Sequence, residues 1–285
     1  MDEPITKDIV IFYHKECQDG FSGAWVAWKK FGESADYVPL DNRMMESDKL
    51  NLTDKTIYFI DALPRSRDII EKIVSQNKSV VGIDHHITNE PWMSLFTEHR
   101  FELDKSGGVL AWEYFFPEKP VPIALLFIQD IDIWKWSLPE TKDLAAYFEL
   151  VEFNFDYWEK MVANMEDKNA REGIIEKSEM LTKYIDMKVK EIAGEAYPVE
   201  FEGMKIMAVN SNTLSSKVGN MLATNYPPVA IIWAETKDYI YASLRSNGTV
   251  DVSEIAKKYG GGGHRAAAGF RPKIGEPFPW KRIEN

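Results

Sequence analysis

The chain has 285 residues, of which 45% are hydrophobic and nine are Trp, a single cysteine, and a formal net charge of −11. That length and apolar content predict a folded protein of two domains with a sizeable core, and they exclude a disordered chain. The acidic balance excludes broad electrostatic binding to duplex nucleic acid. A small phosphorylated substrate stays open, because bound cations and local arginines reverse the field inside a cleft. One cysteine excludes an internal disulfide and fits a reducing compartment. Met1-Asp2-Glu3-Pro4 carries no signal-peptide pattern, and no apolar stretch approaches a membrane span. The expectation is a soluble, cytoplasmic protein with no membrane partner.

Asp8 to Tyr13 reads as a first buried strand, running into His14-Lys15-Glu16-Cys17-Gln18-Asp19-Gly20. A helix is expected over Phe21 to Phe31, with Ser22, Gly23 and Ala24 near its start. Spacing alone favours ordinary helix–sheet packing there over close approach to a ligand. Tyr37 to Leu40 is a candidate strand, and Thr56 to Ile60 a clearer one that ends at Asp61. Arg65 to Ser75 has helical spacing, and the β-branched run from Val80 ends in Asp84-His85-His86. Two adjacent histidines on a strand point to opposite faces. The reading is therefore one His on a metal, the other facing substrate, and Asp84 holding an imidazole. Strand alternates with helix, and the clear strands end in His14/Asp19, Asp61 and Asp84/His85/His86. That is the pattern of a parallel α/β sheet with a site at its carboxyl edge.

Ser106-Gly107-Gly108 opens a further helix, Val109 to Phe116, and its entrance reads either as an anion site or as a plain N-cap. The apolar run Ile123 to Ile128 ends in Gln129-Asp130-Ile131-Asp132, where both aspartates are candidate ligands. Residues 156–196 read as a long amphipathic helix or helix pair, a connector between a domain over 1–155 and one over 197–285. In the last stretch, strands around 205–209, 229–234 and 239–244 and a helix over 215–223 describe a smaller α/β domain. Gly260 to Gly263 would bring backbone N–H groups close to an anion, with the small residues after His264-Arg265 opening a helix beside it. Arg245 is a further phosphate candidate.

Two divalent ions about 3.5–4 Å apart, bridged by a carboxylate, clamp the attacking and leaving oxygens of a phosphoester. His14, Asp19, Asp61, His85 and Asp130 would supply such a site. Imidazole with oxygen ligands favours Mn²⁺ or Mg²⁺, and a bridging hydroxide would be the nucleophile. The chain has no Gly-x-Ser-x-Gly, Walker-A or dinucleotide fingerprint.

In the order of these motifs the chain resembles the DHH phosphoesterase superfamily. The matching residues are the segment 9–20, Asp61, Asp84-His85-His86, Asp130, and the Gly-Gly-Gly-His loop at 261–264. That loop resembles the one in the DHH-associated C-terminal domain of nanoRNases. The resemblance covers nearly the whole chain. It implies an N-terminal DHH domain with two Mn²⁺, Mg²⁺ or another divalent ion being the alternative, and a smaller C-terminal domain that binds substrate across a cleft. It places His14 and Asp61 on one metal and Asp19, Asp61, His85 and Asp130 on the other, with Asp61 as the bridge. It gives Asp84 the orienting of a ligand from behind, His86 the scissile phosphate, and Arg245, Gly262, Gly263 and His264 the nucleotide end of the substrate.

One departure matters. The family's first motif has two Asp after the His, whereas here only Asp19 is clear and Cys17 or Gln18 stands where the other is expected. A thiolate ligates Zn²⁺ well and Mn²⁺ poorly, so metal identity is open. The expected activity is metal-dependent cleavage of short oligonucleotides or linear dinucleotides to mononucleotides. A phosphatase of nucleotide 3′,5′-bisphosphates and a catalytically impaired nucleotide-binding protein are the alternatives. A homodimer is compatible with the sequence.

Overall fold

The first strand, β1 (Ile9–His14), is apolar on both sides: Val10 and Phe12 lie in one core and Ile11 in another, all fully buried. A strand buried on both faces belongs inside a parallel sheet covered by helices. The computed structural model, which describes residues 4–40, 52–64, 66–237 and 239–283, places it there. Helix α1 (Gln18–Phe31), β2 (Ala35–Leu40), β3 (Thr56–Ile60), α2 (Arg67–Gln76) and β4 (Ser79–Asp84) follow. A 3-10 segment (Glu90–Leu95) and β5 (Glu98–Phe101) then complete a five-stranded sheet in the order β2-β1-β3-β4-β5. All its neighbours are parallel. The helix expected from Arg65 starts at Arg67, Arg65 itself lying outside the described residues.

Helices α3 (Gly107–Phe115), α4 (Ile123–Asp132), α5 (Thr141–Phe148) and α6 (Phe155–Glu166) come next. With α1 they pack Trp25, Leu110, Leu125, Phe148 and Trp158 against Ile11, Ile60, Val81 and Ile83. On the opposite face Val10, Phe12, Ile57, Phe59 and Val80 meet Ile70 and Ile73 of α2 and Met93 of the 3-10 segment. The strand order reverses between β1 and β3. At such a point the loops leave in opposite directions and open a crevice at the carboxyl ends of the strands, where ligands of open α/β sheets bind.

The chain divides between Thr182 and Lys183 into two compact units. The stretch read as a helix or helix pair is a pair, α6 followed by α7 (Lys168–Gly194). The second unit contains β6 (Tyr197–Phe201), β7 (Met204–Asn210), α8 (Ser215–Asn225), β8 (Val229–Glu235), β9 (Ile240–Ser246), α9 (Val252–Lys258), β10 (Gly262–His264), β11 (Ala267–Phe270) and β12 (Lys281–Arg282). They form a seven-stranded sheet in the order β10-β11-β9-β8-β7-β6-β12, with β7 and β8 parallel and the other neighbours antiparallel. Val199, Phe201, Ile231 and Leu244 pack with Ile255 of α9 on one face; Val209, Ala230 and Ile232 pack with Val218 and Leu222 of α8 on the other. The fold class read from the sequence holds: α/β, with a parallel sheet first and a smaller α/β unit after it.

One local expectation is corrected. The residues after the glycine run do not open a helix; they turn and return as β11, which pairs with β9. Gly263, at φ 143, takes a backbone conformation that side chains rarely adopt, and a Cβ there would lie 2.5 Å from Ala268 Cα. Glycine lets β10 and β11 close on each other. Among the described residues no helix is long and apolar enough to cross a membrane.

Candidate metal centre

The β1–β3 register pairs Tyr13 with Ile60, so the next residues, His14 and Asp61, meet at the crevice. His14 Nδ1 lies 3.2 Å from Asp61 Oδ2. Asp61 turns out of β3 with a left-handed backbone, φ 60, while its N–H donates to the Ile83 carbonyl at 2.9 Å. Aspartate tolerates that conformation better than most residues. Its other oxygen, Oδ1, points at the residues after β4: His85 Nε2 at 3.2 Å and His86 Nδ1 at 3.6 Å.

Adjacent histidines come together here because β4 ends at Asp84 and the strand alternation assumed in reading the sequence stops with it. Asp84, fully buried, folds the chain back on itself. Its Oδ1 accepts from the backbone N–H groups of His85 and His86, both at 2.7 Å, and pairs with His86 Nδ1 at 2.9 Å; Oδ2 accepts from Asn89 Nδ2 at 2.9 Å. The two imidazole centroids are 4.5 Å apart.

Asp19 lies inside the first turn of α1, which begins earlier than the spacing predicts. It is buried, and its carboxylate accepts from Gly107 N at 2.6 Å and Gly108 N at 3.0 Å. Ser106 caps α3 as one of the two sequence readings had it, accepting from Val109 N at 3.5 Å. The anion at the α3 N-terminus is thus the protein's own Asp19, which suits the unpaired N–H groups and positive dipole end of a helix. Glycine is required: a Cβ on Gly108 would lie 1.8 Å from Ser22 Oγ, and one on Gly107 2.7 Å from Asp61 Cβ.

Asp130 is placed differently from the sequence assignment. Its oxygens accept from Ser137 N at 3.0 and 2.9 Å, Ser137 Oγ at 2.6 Å, Leu138 N at 3.0 Å and Thr141 Oγ1 at 2.5 Å. These bonds outweigh the effect of burial and hold its pKa down to about 2. They also brace a loop that contains left-handed Trp134 and Trp136. Asp132 takes the other position, with Oδ2 3.3 Å from His85 Nε2. The run from Ile123 is a helix, and residues two apart on a helix do not share a face, so one of the two aspartates faces the cluster.

Asp61 Oδ1, Asp132 Oδ2 and, at 3.9 Å, Asp19 Oδ2 all converge on His85 Nε2. Yet Asp61 Oδ1 and His85 Nε2 are buried with no hydrogen-bond partner. Buried polar atoms are rarely left so, and a cation accepting both lone pairs would satisfy them. The donors fit one: Asp19, His85 and Asp132 form a group able to hold an ion, as do Asp61, His85 and His86, and His14, Cys17 and Asp61. Cys17, which the sequence offers as a departure from the family's motif and as a thiolate ligand, places its Sγ on the His14 side of the cluster.

The electrostatics carry the same signature. Burial would lower the pKa of His85, but Asp61, Asp19 and Asp132 push it up to about 9. Burial, reinforced by Asp61 and Asp132, raises Asp19, and burial with Asp61 raises Asp132. Burial would raise Asp61 too, but His14, His85 and His86 around it hold it below the usual carboxylate range. Like charges this close favour a bound proton or a metal ion in its place.

The remaining predicted residues lie in the second unit. Ala267 pairs with both His264 of β10 and Arg245 of β9, so His264 and Arg245 share a face two strand spacings apart, about 10 Å. Arg245 Nη1 donates to Ser243 Oγ at 2.8 Å and Nη2 to Ser216 Oγ at 2.8 Å. Gly262 and Gly263 precede His264 on the same short strand.

Residues 204–276 match the DHHA1 domain. An uncharacterized protein, R106, of Acanthamoeba polyphaga mimivirus is 34% identical over 286 residues, covering 92% of this chain and 66% of its own. The oligoribonuclease NrnB of Bacillus subtilis (strain 168) is 30% identical over 163 residues, covering 50% of this chain and 37% of its own. The chain thus spans between about a third and two thirds of these relatives' lengths. Among solved structures, the DHH domain of a member of a ribosomal-protein family superposes with a TM-score of 0.58 at 14% identity, covering 97% of this chain and 83% of that one. The pGpG-specific phosphodiesterase PggH from Vibrio cholerae gives 0.55 at 14% identity, covering 94% of each chain. The chain thus carries a DHHA1 domain at residues 204–276, after a parallel sheet whose crevice is lined by Asp84-His85-His86, and it shares its fold with structures that contain a DHH domain.

Proposed function

We propose that the protein is a divalent-metal-dependent phosphodiesterase that releases mononucleotides from short oligonucleotides or linear dinucleotides. The observation that carries this reading is the pair of buried, unpartnered ligand atoms, Asp61 Oδ1 and His85 Nε2, at the mouth of the parallel sheet. Two further points support it: the relative NrnB is named an oligoribonuclease and the structural neighbour PggH a pGpG-specific phosphodiesterase, and the acidic chain suits short substrates better than long polymers.

In this reading His14 and Asp61 hold one ion, and Asp19, Asp61, His85 and Asp132 the other, with Mn²⁺ the leading candidate. When bound, such ions act as Lewis acids on the phosphoester and acidify water. Asp84 fixes the Nδ1 side of His86, whose ring is 42% exposed. Asp84 also raises the pKa of His86, and the protonated ring would have its Nε2–H left to donate to a phosphate oxygen. In the second unit, Arg245 and His264 with the N–H groups of Gly262 and Gly263 supply donors suited to a phosphate.

The test is mononucleotide release from a 5′-phosphorylated RNA dinucleotide, with Mn²⁺ or with EDTA, by the wild type and by Asp61→Asn. Asparagine accepts the left-handed backbone at this position, so the fold is kept while the charge is lost. Release by the wild type with Mn²⁺ alone, reduced on the order of 10³-fold in Asp61→Asn, is the expected result. No release with any of several divalent ions would overturn the reading. Phosphate release from a nucleotide 3′,5′-bisphosphate, without dinucleotide cleavage, would replace it with a phosphatase.

A further inference from the structure

We propose that the Cys17 thiolate is a metal ligand, making the His14–Cys17–Asp61 group a sulfur-bearing site with a preference for zinc-like ions, beside an oxygen-rich Asp19–His85–Asp132 site. The inference rests on reading the cluster as a metal centre and assigns its two halves different chemistry.

The geometry begins at Gly20. A Cβ there would lie 2.4 Å from the His14 carbonyl oxygen and 2.6 Å from His14 Cβ. Glycine therefore lets the start of α1 pack directly on the end of β1. The turn this creates brings Cys17, three residues after His14, back to the strand end. Cys17 occupies the N-cap position of α1 with an extended backbone, φ −129, and its side chain makes no capping bond. The side chain is half-buried, so it is shielded yet reachable from solution. Its Sγ, an imidazole nitrogen of His14 and a carboxylate oxygen of Asp61 lie within 4.8 Å of one another. Asp61 is 2% exposed; its Oδ2 lies against His14, and its unpartnered Oδ1 faces His85 in the same crevice, so one carboxylate joins the two halves.

Ligand chemistry then separates the halves. Nitrogen, oxygen and sulfur together suit Zn²⁺ or Co²⁺. Two carboxylates and an imidazole suit Mn²⁺ or Mg²⁺. A coordinating thiol loses its proton to solvent as the metal–sulfur bond forms, so a thiol that is protonated in the metal-free protein can still ligate. A centre of this kind would bind two unlike metals from a mixture.

The full chain is stripped with a chelator and titrated with Co²⁺. Since it has one cysteine, a near-ultraviolet sulfur-to-cobalt charge-transfer band has a single source. The expected result is a band that saturates with one equivalent in the wild type and is lost in Cys17→Ser, which still binds Co²⁺ at the other site. Visible cobalt bands in the wild type without the charge-transfer band would overturn the proposal, as would no Co²⁺ binding at all. A second measurement guards against a folding defect in the variant. Metal content is determined after equilibration with mixed Zn²⁺ and Mn²⁺, for the wild type, Cys17→Ser and Cys17→Asp, each checked by circular dichroism. Loss of one zinc in Cys17→Ser, with manganese taking its place in Cys17→Asp, supports the assignment; zinc retained by all three overturns it. Neither readout involves turnover. A cobalt–thiolate band without dinucleotide hydrolysis would uphold this assignment and count against the hydrolase reading alone.

Discussion

Asp61 Oδ1 and His85 Nε2 lie 3.2 Å apart, both buried, and neither has a hydrogen-bond partner. A carboxylate and an imidazole at that distance would ordinarily align and bond. His85 Nε2 also lies 3.3 Å from Asp132 Oδ2 and 3.9 Å from Asp19 Oδ2, so three carboxylates compete for it. The supports behind them are bonded: Asp84 holds the residues after β4, the α3 N-terminus holds Asp19, and His14 holds the other oxygen of Asp61. Rigid supports around unsatisfied tips are what a preorganised metal site requires.

The two aspartates of α4 should separate cleanly. Asp130→Ala strips acceptors from Ser137, Leu138 and Thr141 and should cost about 2–4 kcal/mol of stability, measured by urea unfolding. Asp132→Asn should leave the unfolding midpoint of the metal-free protein close to wild type while weakening Mn²⁺ binding in calorimetry. The opposite pattern would return the ligand role to Asp130.

Gly108→Ala should destabilise the protein by about 1–3 kcal/mol through overpacking against α1. The nearest obstacle is Ser22 Oγ, at 1.8 Å from the added Cβ. Adding Ser22→Ala removes that atom and should recover part of the loss in thermal melts. A single variant as stable as wild type would show that the α1–α3 contact is looser than described.

Asp84→Asn keeps an oxygen for the His85 and His86 N–H groups but sets its NH2 against Asn89 Nδ2, which donates to the wild-type carboxylate, and it removes the charge beside His86 Nδ1. Disturbing a support behind a ligand typically costs about 10–100-fold in metal affinity or activity. The expected outcome is a fall of that size in kcat/KM for the dinucleotide, with both histidines still present. Unchanged kinetics would remove Asp84 from the site's machinery.

The metal-free protein should lose stability as pH rises. The folded pKa of His85 is pushed from 6.5 up to about 9 by its carboxylate neighbours, so its protonated form stabilises the fold. That contribution is complete below pH 6.5 and disappears as pH climbs through 9. His14, raised by its bond to Asp61, and His86, raised by its bond to Asp84, act in the same direction. Melting temperatures in EDTA should therefore fall across this window, and saturating Mn²⁺ should flatten the trend by replacing the proton. A rising melting temperature in EDTA would contradict the description of the cluster.

The alternating strands and helices, the parallel sheet and the chemical groups at its edge were all legible in the order of residues. Those features are local: apolar runs such as Val80 to Ile83 stop at Asp84, and the period of the pattern names the element. Which groups meet was settled by tertiary contacts. Asp130 and Asp132 are indistinguishable in an acidic tail until the run before them is known to be a helix and one face of it is committed to the loop at Ser137. His85 and His86 look opposed until the strand is seen to end before them. The Ser106-Gly107-Gly108 entrance has no visible partner in sequence, because the anion it receives, Asp19, arrives from 88 residues away. Strand periodicity is written in neighbouring residues; the convergence of ligands depends on where strand order reverses and where glycine lets backbones touch, and those contacts exist only after the chain has folded.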